Sequence, residues 1–262
     1  MEAVAALQVG IPLRTTAMPR ARATLRDVSR AQPQCSACNL LEKCLSADLD
    51  ADTTRQLDDL VTTRLRLRKG ETLYRAGGSF TALYAIRSGS LKTLLLAEDG
   101  REQVAGYHMP GEILGLDGVG NEEHECQAIA LEDSEVCVLP FDRVEQIARE
   151  SAAFQHNVHR YLSREIARQR TLMLLLGTMR ADQRLAAFLL DLSQRYQARG
   201  YSSSEFILRM TREEIGSYLG LKLETISRLL SRLQQEGLIQ VQGRVVKLLE
   251  RPALRQLVGQ SD

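Results

Sequence analysis

The chain has 262 residues, 44% of them hydrophobic and 26% charged, with a formal net charge of +1. That length accommodates two modest domains, and the composition is that of a folded, water-exposed chain, not a low-complexity or fibrous one. No apolar run approaches the ~20 residues of a membrane span, and a near-neutral total excludes a uniformly basic nucleic-acid coat, although residues 98–135 carry eleven Asp/Glu against one Arg and residues 221–247 five Lys/Arg against two Glu.

Residues 1–33 lack sustained periodicity and hold three of the six prolines, so a disordered tail is expected there. Arg14, Arg20, Arg22 and Arg26, with few acids, give it a superficial likeness to an organellar transit peptide. A loose basic tail and a cytoplasmic protein fit better, because no secretory apolar core is present. The next segment, 34–50, concentrates Cys35, Cys38 and Cys44 in a C-x2-C-x5-C pattern. In a reducing compartment such clustering points to metal or redox chemistry before disulfides.

"ADTTRQLDDL" begins as a short helix, with Thr53 or Asp52 as its cap and Leu57, Leu60 and Val61 on one face. From about 64 to 141 short alternating apolar runs are punctuated by Lys69-Gly70, Gly77-Gly78, Ser88-Gly89, Asp99-Gly100 and Pro110-Gly111. That is the pattern of an all-β roll or sandwich. After Pro140 the period turns helical. Over 151–180 Val158, Leu162, Ile166, Gln169, Met173 and Leu176 recur at spacings of four and three, a seam suited to a partner helix. A further helix, "ADQRLAAFLLDLSQRYQARG", ends at Gly200.

In 210–249, Thr211 and Glu214 form a capping box, Gly220 makes a tight turn, and a second helix runs from about 222 to 236. Ile226, Leu229, Leu230 and Leu233 face inward on it, and Gly237 stops it. "LIQVQGRVVKL" then reads as a hairpin turning near Gly243. Two helices joined by a glycine turn, with a wing behind them, are a DNA-binding signature. Glu224, Ser227 and Arg228 share an outward stripe. Glu accepts from the N4 amino group of cytosine and Arg forks onto guanine, while Lys222 and Arg232 are placed for phosphates.

The stretch "TREEIGSYLGLKLETISRLLSRLQQEGLI" closely resembles the DNA-binding helices of the CRP/FNR superfamily, and Glu224–Ser227–Arg228 is similar to the E-x-x-S-R element of its FNR branch. The cysteine spacing, "GEILGLDGVG" and "QRLAAFLLDLSQRY" resemble that family too, so the likeness spans nearly all of 34–250. Lys222 departs from the pattern, standing where Ser or Thr would cap the second helix better. The resemblance implies an oxygen-labile 4Fe–4S cluster, which needs four thiolates. Three are Cys35, Cys38 and Cys44. Spacing leaves the fourth open between Cys126 and Cys137, and the resemblance selects Cys137, on a strand just before Pro140-Phe141. Cys126 is then expected as a half-buried strand thiol. A four-thiolate zinc site is the alternative, though zinc sites usually pair two short C-x2–4-C knuckles.

The β-roll also resembles a cyclic-nucleotide-binding module at "PGEILG", but no Lys or Arg follows in 116–129 to meet a cyclic phosphate, and carboxylates there repel one. His108, His124, His156 and His159 form no catalytic spacing and are expected at the surface, so no enzyme is expected. The architecture implied is α+β. It comprises the cluster-binding segment 34–50, a β-roll sensor domain at 51–150, a dimerisation helix at 151–180 and a winged helix-turn-helix at 181–262. The implied function is an oxygen-sensing transcription factor whose cluster promotes dimerisation. Its partners are a second copy, RNA polymerase and double-stranded DNA with near-palindromic TTGAT-like half-sites, contacted through Glu224, Thr225, Ser227, Arg228, Lys222, Arg232 and Thr211. Neither a membrane nor a cyclic nucleotide is expected as partner.

Overall fold

A computed structural model describes the backbone of Arg26–Asp27 and residues 34–61, 63–97 and 99–259. Apart from Arg26–Asp27, the expected tail at 1–33 lies outside the described residues. The chain divides into two units, one through Gln155 and one from His156.

In the first unit, helix α1 (Ala51–Leu60) is followed by antiparallel strands and closed by α2 (Phe141–Glu150). One sheet has the order β1 (Arg26–Asp27), β2 (Thr63–Leu67), β9 (Ser134–Pro140), β4 (Ala82–Ser88) and β7 (Ile113–Leu114). The other runs β3 (Thr72–Tyr74), β8 (Gln127–Ala130), β5 (Leu91–Leu96) and β6 (Glu102–His108). Their inner faces supply one core, including Leu67, Leu73, Ile86, Leu91, Ala128 and Val136. Period-two alternation fixes what points outward. Val136 is fully buried at 0% exposure, so Glu135 and Cys137 on either side of it lie on the outer face of β9. Helix α1 is capped by Asp50, whose carboxylate accepts from Thr53 N at 2.7 Å. The cap therefore precedes both Asp52 and Thr53, the first turn starting two residues earlier than a cap at Asp52 would place it.

Two histidines depart from expectation. His156 and His159 are exposed, but His108 and His124 are buried, at 7% and 3% exposure. The His124 ring stacks on Tyr74 with centroids 3.7 Å apart and 10° between planes, and its Nδ1 lies 3.5 Å from Asp117 Oδ2. His108 Nε2 lies 3.1 Å from Thr93 Oγ1. Ring stacking and nearby polar atoms offset the cost of withdrawing an imidazole from water.

In the second unit, α3 (Ala152–Thr178), which begins just before the division, leads to α4 (Ala181–Gln197). Then come β10 (Glu205–Ile207), α5 (Arg212–Leu219), α6 (Leu223–Gln235), β11 (Ile239–Gln242), β12 (Val245–Leu248) and α7 (Arg251–Val258). The wing hairpin β11–β12 turns at Gly243, φ 61°, and gains β10 as a third strand against β12. Strand β10 and helix α7 carry no strong signal in the sequence, being three and eight residues long.

Gly89 ends β4 at φ +81°, where an added Cβ meets Ser134 and comes within 2.7 Å of the Asp133 carbonyl oxygen. Gly89→Ala is expected to cost roughly 1–3 kcal/mol from backbone strain alone, read as a lowered midpoint in urea. An unchanged midpoint would show that this turn relaxes.

Candidate cysteine site and nucleic-acid interface

The cysteine segment folds as successive tight turns. Cys38 N donates to Cys35 O at 3.0 Å, Leu41 N to Cys38 O at 3.1 Å, and Cys44 N to Leu40 O at 3.0 Å. Helix α1 clasps its start: Ser36 donates to Asp58 through N at 3.0 Å and through Oγ at 2.6 Å, and the Cys35 thiol faces Leu57 O at 3.9 Å. Gly111, at φ +87°, brings the turn before β7 against Lys43, where an added Cβ would lie 3.0 Å from the Lys43 Cβ. The segment is thus held on two sides against the outer face of the five-stranded sheet.

This packing brings Cys35, Cys38, Cys44 and Cys137 around one cavity, with Leu40, Val61 and Leu139 as apolar wall. All four cysteines are half-buried. Burial, then Cys44, Cys137 and Asp58, push the Cys35 thiol up to about 12. Burial also pushes Cys44 up to about 11, partly offset by the Leu45 backbone amide, with Cys137 and Cys38 adding to the rise. Burial raises Cys137 as well, while Arg64, and more weakly Arg87, draw it back. Each thiolate would thus oppose the next. Among the described residues, no three Cys, His, Asp or Glu side chains are disposed to hold a single metal ion.

Cys126 stands apart. It is buried at 8% exposure, not half-buried, and precedes β8 by one residue. Its Sγ lies 3.3 Å from Asp117 Oδ2 and 3.9 Å from the Tyr74 hydroxyl, and burial followed by the Asp117 charge raises its thiol far above the ordinary value. The same Asp117 carboxylate accepts from Glu125 N at 2.9 Å and Cys126 N at 3.1 Å. This polar knot closes the loop that follows "PGEILG".

The helix-turn-helix forms around Thr211. Its Oγ1 accepts from Glu214 N at 3.1 Å while Glu214 accepts from Thr211 N at 2.6 Å, and Gly220 makes the turn at φ +64°. Gly216, which carried no signal of its own, lies so close to the turn leading into α6 that a Cβ would sit 2.5 Å from Leu221 O. Helix α6 buries Ile226, Leu230 and Leu233. Leu229, expected inward, is half-buried on the flank beside Arg180 and Arg232. Glu224, Arg228, Lys222, Arg232 and Thr211 are exposed, and Thr225 and Ser227 half-buried. Lys222 caps α6 with no side-chain bond. Arg212, overlooked beside the capping threonine, donates to Ser227 Oγ at 3.2 Å, and Arg232 pairs with Glu236 at 2.8 Å.

On α3, Val158, Leu162 and Leu176 are half-buried and Gln169 exposed. Ile166 and Met173 are 53% and 72% exposed. Gln169 Nε2 donates to Glu165 Oε1 at 3.0 Å. Arg184 of α4 fastens the end of α3 to the DNA-binding helices. It donates to Met179 O at 2.9 Å, Leu176 O at 2.7 Å and Leu219 O at 3.1 Å. No described helix is long and apolar enough to cross a membrane.

Two family models match the chain: a Crp-like helix-turn-helix domain over residues 183–257 and a cyclic nucleotide-binding domain over 64–151. The transcriptional regulatory protein btr of Bordetella pertussis is 49% identical over 86% of this chain and 93% of its own. The transcriptional activator protein Anr of Pseudomonas protegens is 43% identical over 88% and 94%, and the anaerobic regulatory protein of Haemophilus influenzae 40% identical over 86% and 88%. The structure of FixK2 from Bradyrhizobium japonicum superposes with a TM-score of 0.70 at 30% identity, covering 76% of this chain and 98% of that one.

Arg184→Met removes a charged donor from three carbonyls. It is expected to lower the stability of the second unit by about 1.5–3 kcal/mol and to weaken DNA binding, measured by calorimetry and fluorescence anisotropy. Unaltered melting would mean that other donors take over those carbonyls.

Proposed function

Because this chain belongs to the CRP/FNR superfamily as an FNR-type transcriptional regulator, we propose that it reads oxygen through a 4Fe–4S cluster held by Cys35, Cys38, Cys44 and Cys137. In its loaded form it binds DNA as a homodimer, regulates genes of anaerobic growth and engages RNA polymerase at the promoter. The observation that carries the reading is the convergence of four of the five cysteines on one cavity while the fifth is tied to Asp117. Thiols raised by burial and by one another become thiolates together only when positive charge lies among them. Zinc sites usually pair two short C-x2–4-C knuckles, a spacing that Cys35, Cys38, Cys44 and Cys137 do not have. When bound, such a cluster supplies oxygen lability, being lost on exposure to air.

The protein's own residues then turn occupancy into assembly. The segment 35–44 rests on α1 and on the Gly111 turn through the contacts described above. Four sulfurs bound in common tie it to β9, and their release leaves it held by α1 and that turn alone. The stripe at Ile166 and Met173 is apolar surface that the single chain leaves in water, which supports pairing with a second α3. Gln169 within it lowers the stability of that pairing while fixing its register. A dimer so balanced shifts between paired and single chains for a few kcal/mol. Two α6 helices then face half-sites about one DNA turn apart, where Lys222, Arg232, Thr211 and Thr225 meet the backbone, Arg232 exchanging Glu236 for a phosphate. The interior reached by the loop after "PGEILG" supports a roll that takes no cyclic nucleotide. Tyr74, His124 and Asp117 are engaged with one another there, and residues 110–127 contain no Lys or Arg.

Anaerobically purified protein is expected to carry about four irons and four sulfides and to pass from dimer to monomer in air by light scattering. Serine at Cys35, Cys38, Cys44 or Cys137 should abolish the cluster, and Cys126→Ser should retain it. A colourless, zinc-loaded, air-stable protein would sink the reading.

For base reading, Arg228→Ala is expected to cost ~1–3 kcal/mol per half-site and to relax preference at the guanine of a TTGAT-like sequence. A Glu224–Arg228 helix pair would contribute only about 0.2–0.5 kcal/mol. Binding to operators carrying each base at the G·C position decides between them, and unchanged discrimination would remove Arg228 as the reader.

A further inference from the structure

Strand register sets a cation opposite the strand-borne cysteine. Arg64 on β2 is the direct cross-strand partner of Cys137 on β9, and Arg66 that of Glu135. With period-two alternation, all four share the outer face on which the cysteine segment lies. On the other side of β9, the β4 register slips between Ile86 and Ser88, and Arg87 enters from that irregularity. Glu135 gathers three guanidinium groups: Arg87 Nη1 at 2.9 Å, Arg66 Nε at 3.4 Å and Arg64 Nη1 at 3.6 Å. One carboxylate cannot neutralise three cations.

The three arginines differ in burial. The side chains of Arg66 and Arg87 are 64% and 37% exposed, that of Arg64 only 17%. The Arg64 Nε is fully withdrawn from solvent with no hydrogen-bond partner among the described residues. Glu135 is shared with two other guanidinium groups, so a half-buried cation with a spare, desolvated N–H is costly unless further negative charge faces it. Four thiolates around an iron–sulfur core carry that negative charge, one of them directly across the strand pair.

We propose that Arg64, anchored by Glu135, is a positioning residue for the cofactor, donating to the Cys137 sulfur and setting the positive charge beside the cluster. This rests on the cluster reading above. Hydrogen bonds to the sulfurs and local charge tune the potential of such clusters, and partners of metal ligands govern how firmly the metal is held.

The test uses the full chain reconstituted under nitrogen: wild type, Arg64→Leu, Arg64→Lys and Glu135→Gln. Readouts are iron and sulfide content, the cluster's midpoint potential by spectroelectrochemical titration, and iron retention against a chelator, with circular dichroism melts reporting the fold. Arg64→Leu is expected to shift the midpoint to more negative potential and to weaken retention by about 10–100-fold. Arg64→Lys, which keeps charge and a donor, should restore most of both, and Glu135→Gln, which takes away the anchor of Arg64, should weaken iron retention. A folded Arg64→Leu protein with wild-type midpoint and retention overturns the inference. If Arg64→Leu does not fold, Glu135→Gln decides, and its unchanged iron retention overturns the inference equally. A wild type that takes up no iron overturns the cofactor reading, and this inference with it, whereas a loaded wild type beside an indifferent Arg64→Leu overturns this inference alone.

Discussion

Charge repulsion among clustered sulfurs is the constraint from which the first unit is best understood. Burial alone disfavours ionisation at Cys35, Cys44 and Cys137, and neighbouring sulfur charge adds to it. The surrounding structure is arranged for those sulfurs to be near one another regardless. Asp58 grips Ser36, the Gly111 turn abuts Lys43, and β9 delivers Cys137 from the middle of a five-stranded sheet. A sheet interior is a rigid platform, because strands on both sides fix its register. A loop of turns is not, so the three consecutive thiols depend on α1 and the roll for their positions.

In the second unit the corresponding constraint is how the end of α3 is joined to the helix-turn-helix. Arg184 makes the join by hydrogen-bonding carbonyls at the end of α3 and at the end of α5 together. Those carbonyls have no partner within their own helices, so one side chain satisfies them and couples two elements at once. Gly216 lets the turn at Leu221 fold tightly back on α5, and the Thr211–Glu214 box sets where α5 starts. Arg184 thus joins the end of α3 to the end of α5 through one side chain.

Much of this was legible in the sequence because it rests on local rules. Glycine-punctuated alternation marked the roll, and the capping box, Gly220 and the Ile226–Leu230–Leu233 register marked the DNA-binding helices. What escaped depends on partners distant along the chain. His108 and His124 look like surface residues until Thr93, Asp117 and the Tyr74 ring surround them. Arg184 reads as one more polar position on an amphipathic helix, and its value lies in carbonyls it meets only after folding. For the cysteines, spacing identified the group of three and resemblance selected Cys137. That Cys126 instead faces Asp117 is a tertiary fact without a local signature.

The register of β9 also imposes an order in time. Cys137 follows Cys44 by 93 positions (137 − 44), and its strand pairs with both β2 and β4. At translation rates of ~5–20 residues per second, the first three thiols are synthesised roughly 5–20 s before the fourth exists. Even then Cys137 reaches them only when the last strand of the roll has closed between two others. Completion of the four-sulfur site is thus a late event in biogenesis, and a chain released before β9 is docked exposes three cysteines with no fourth.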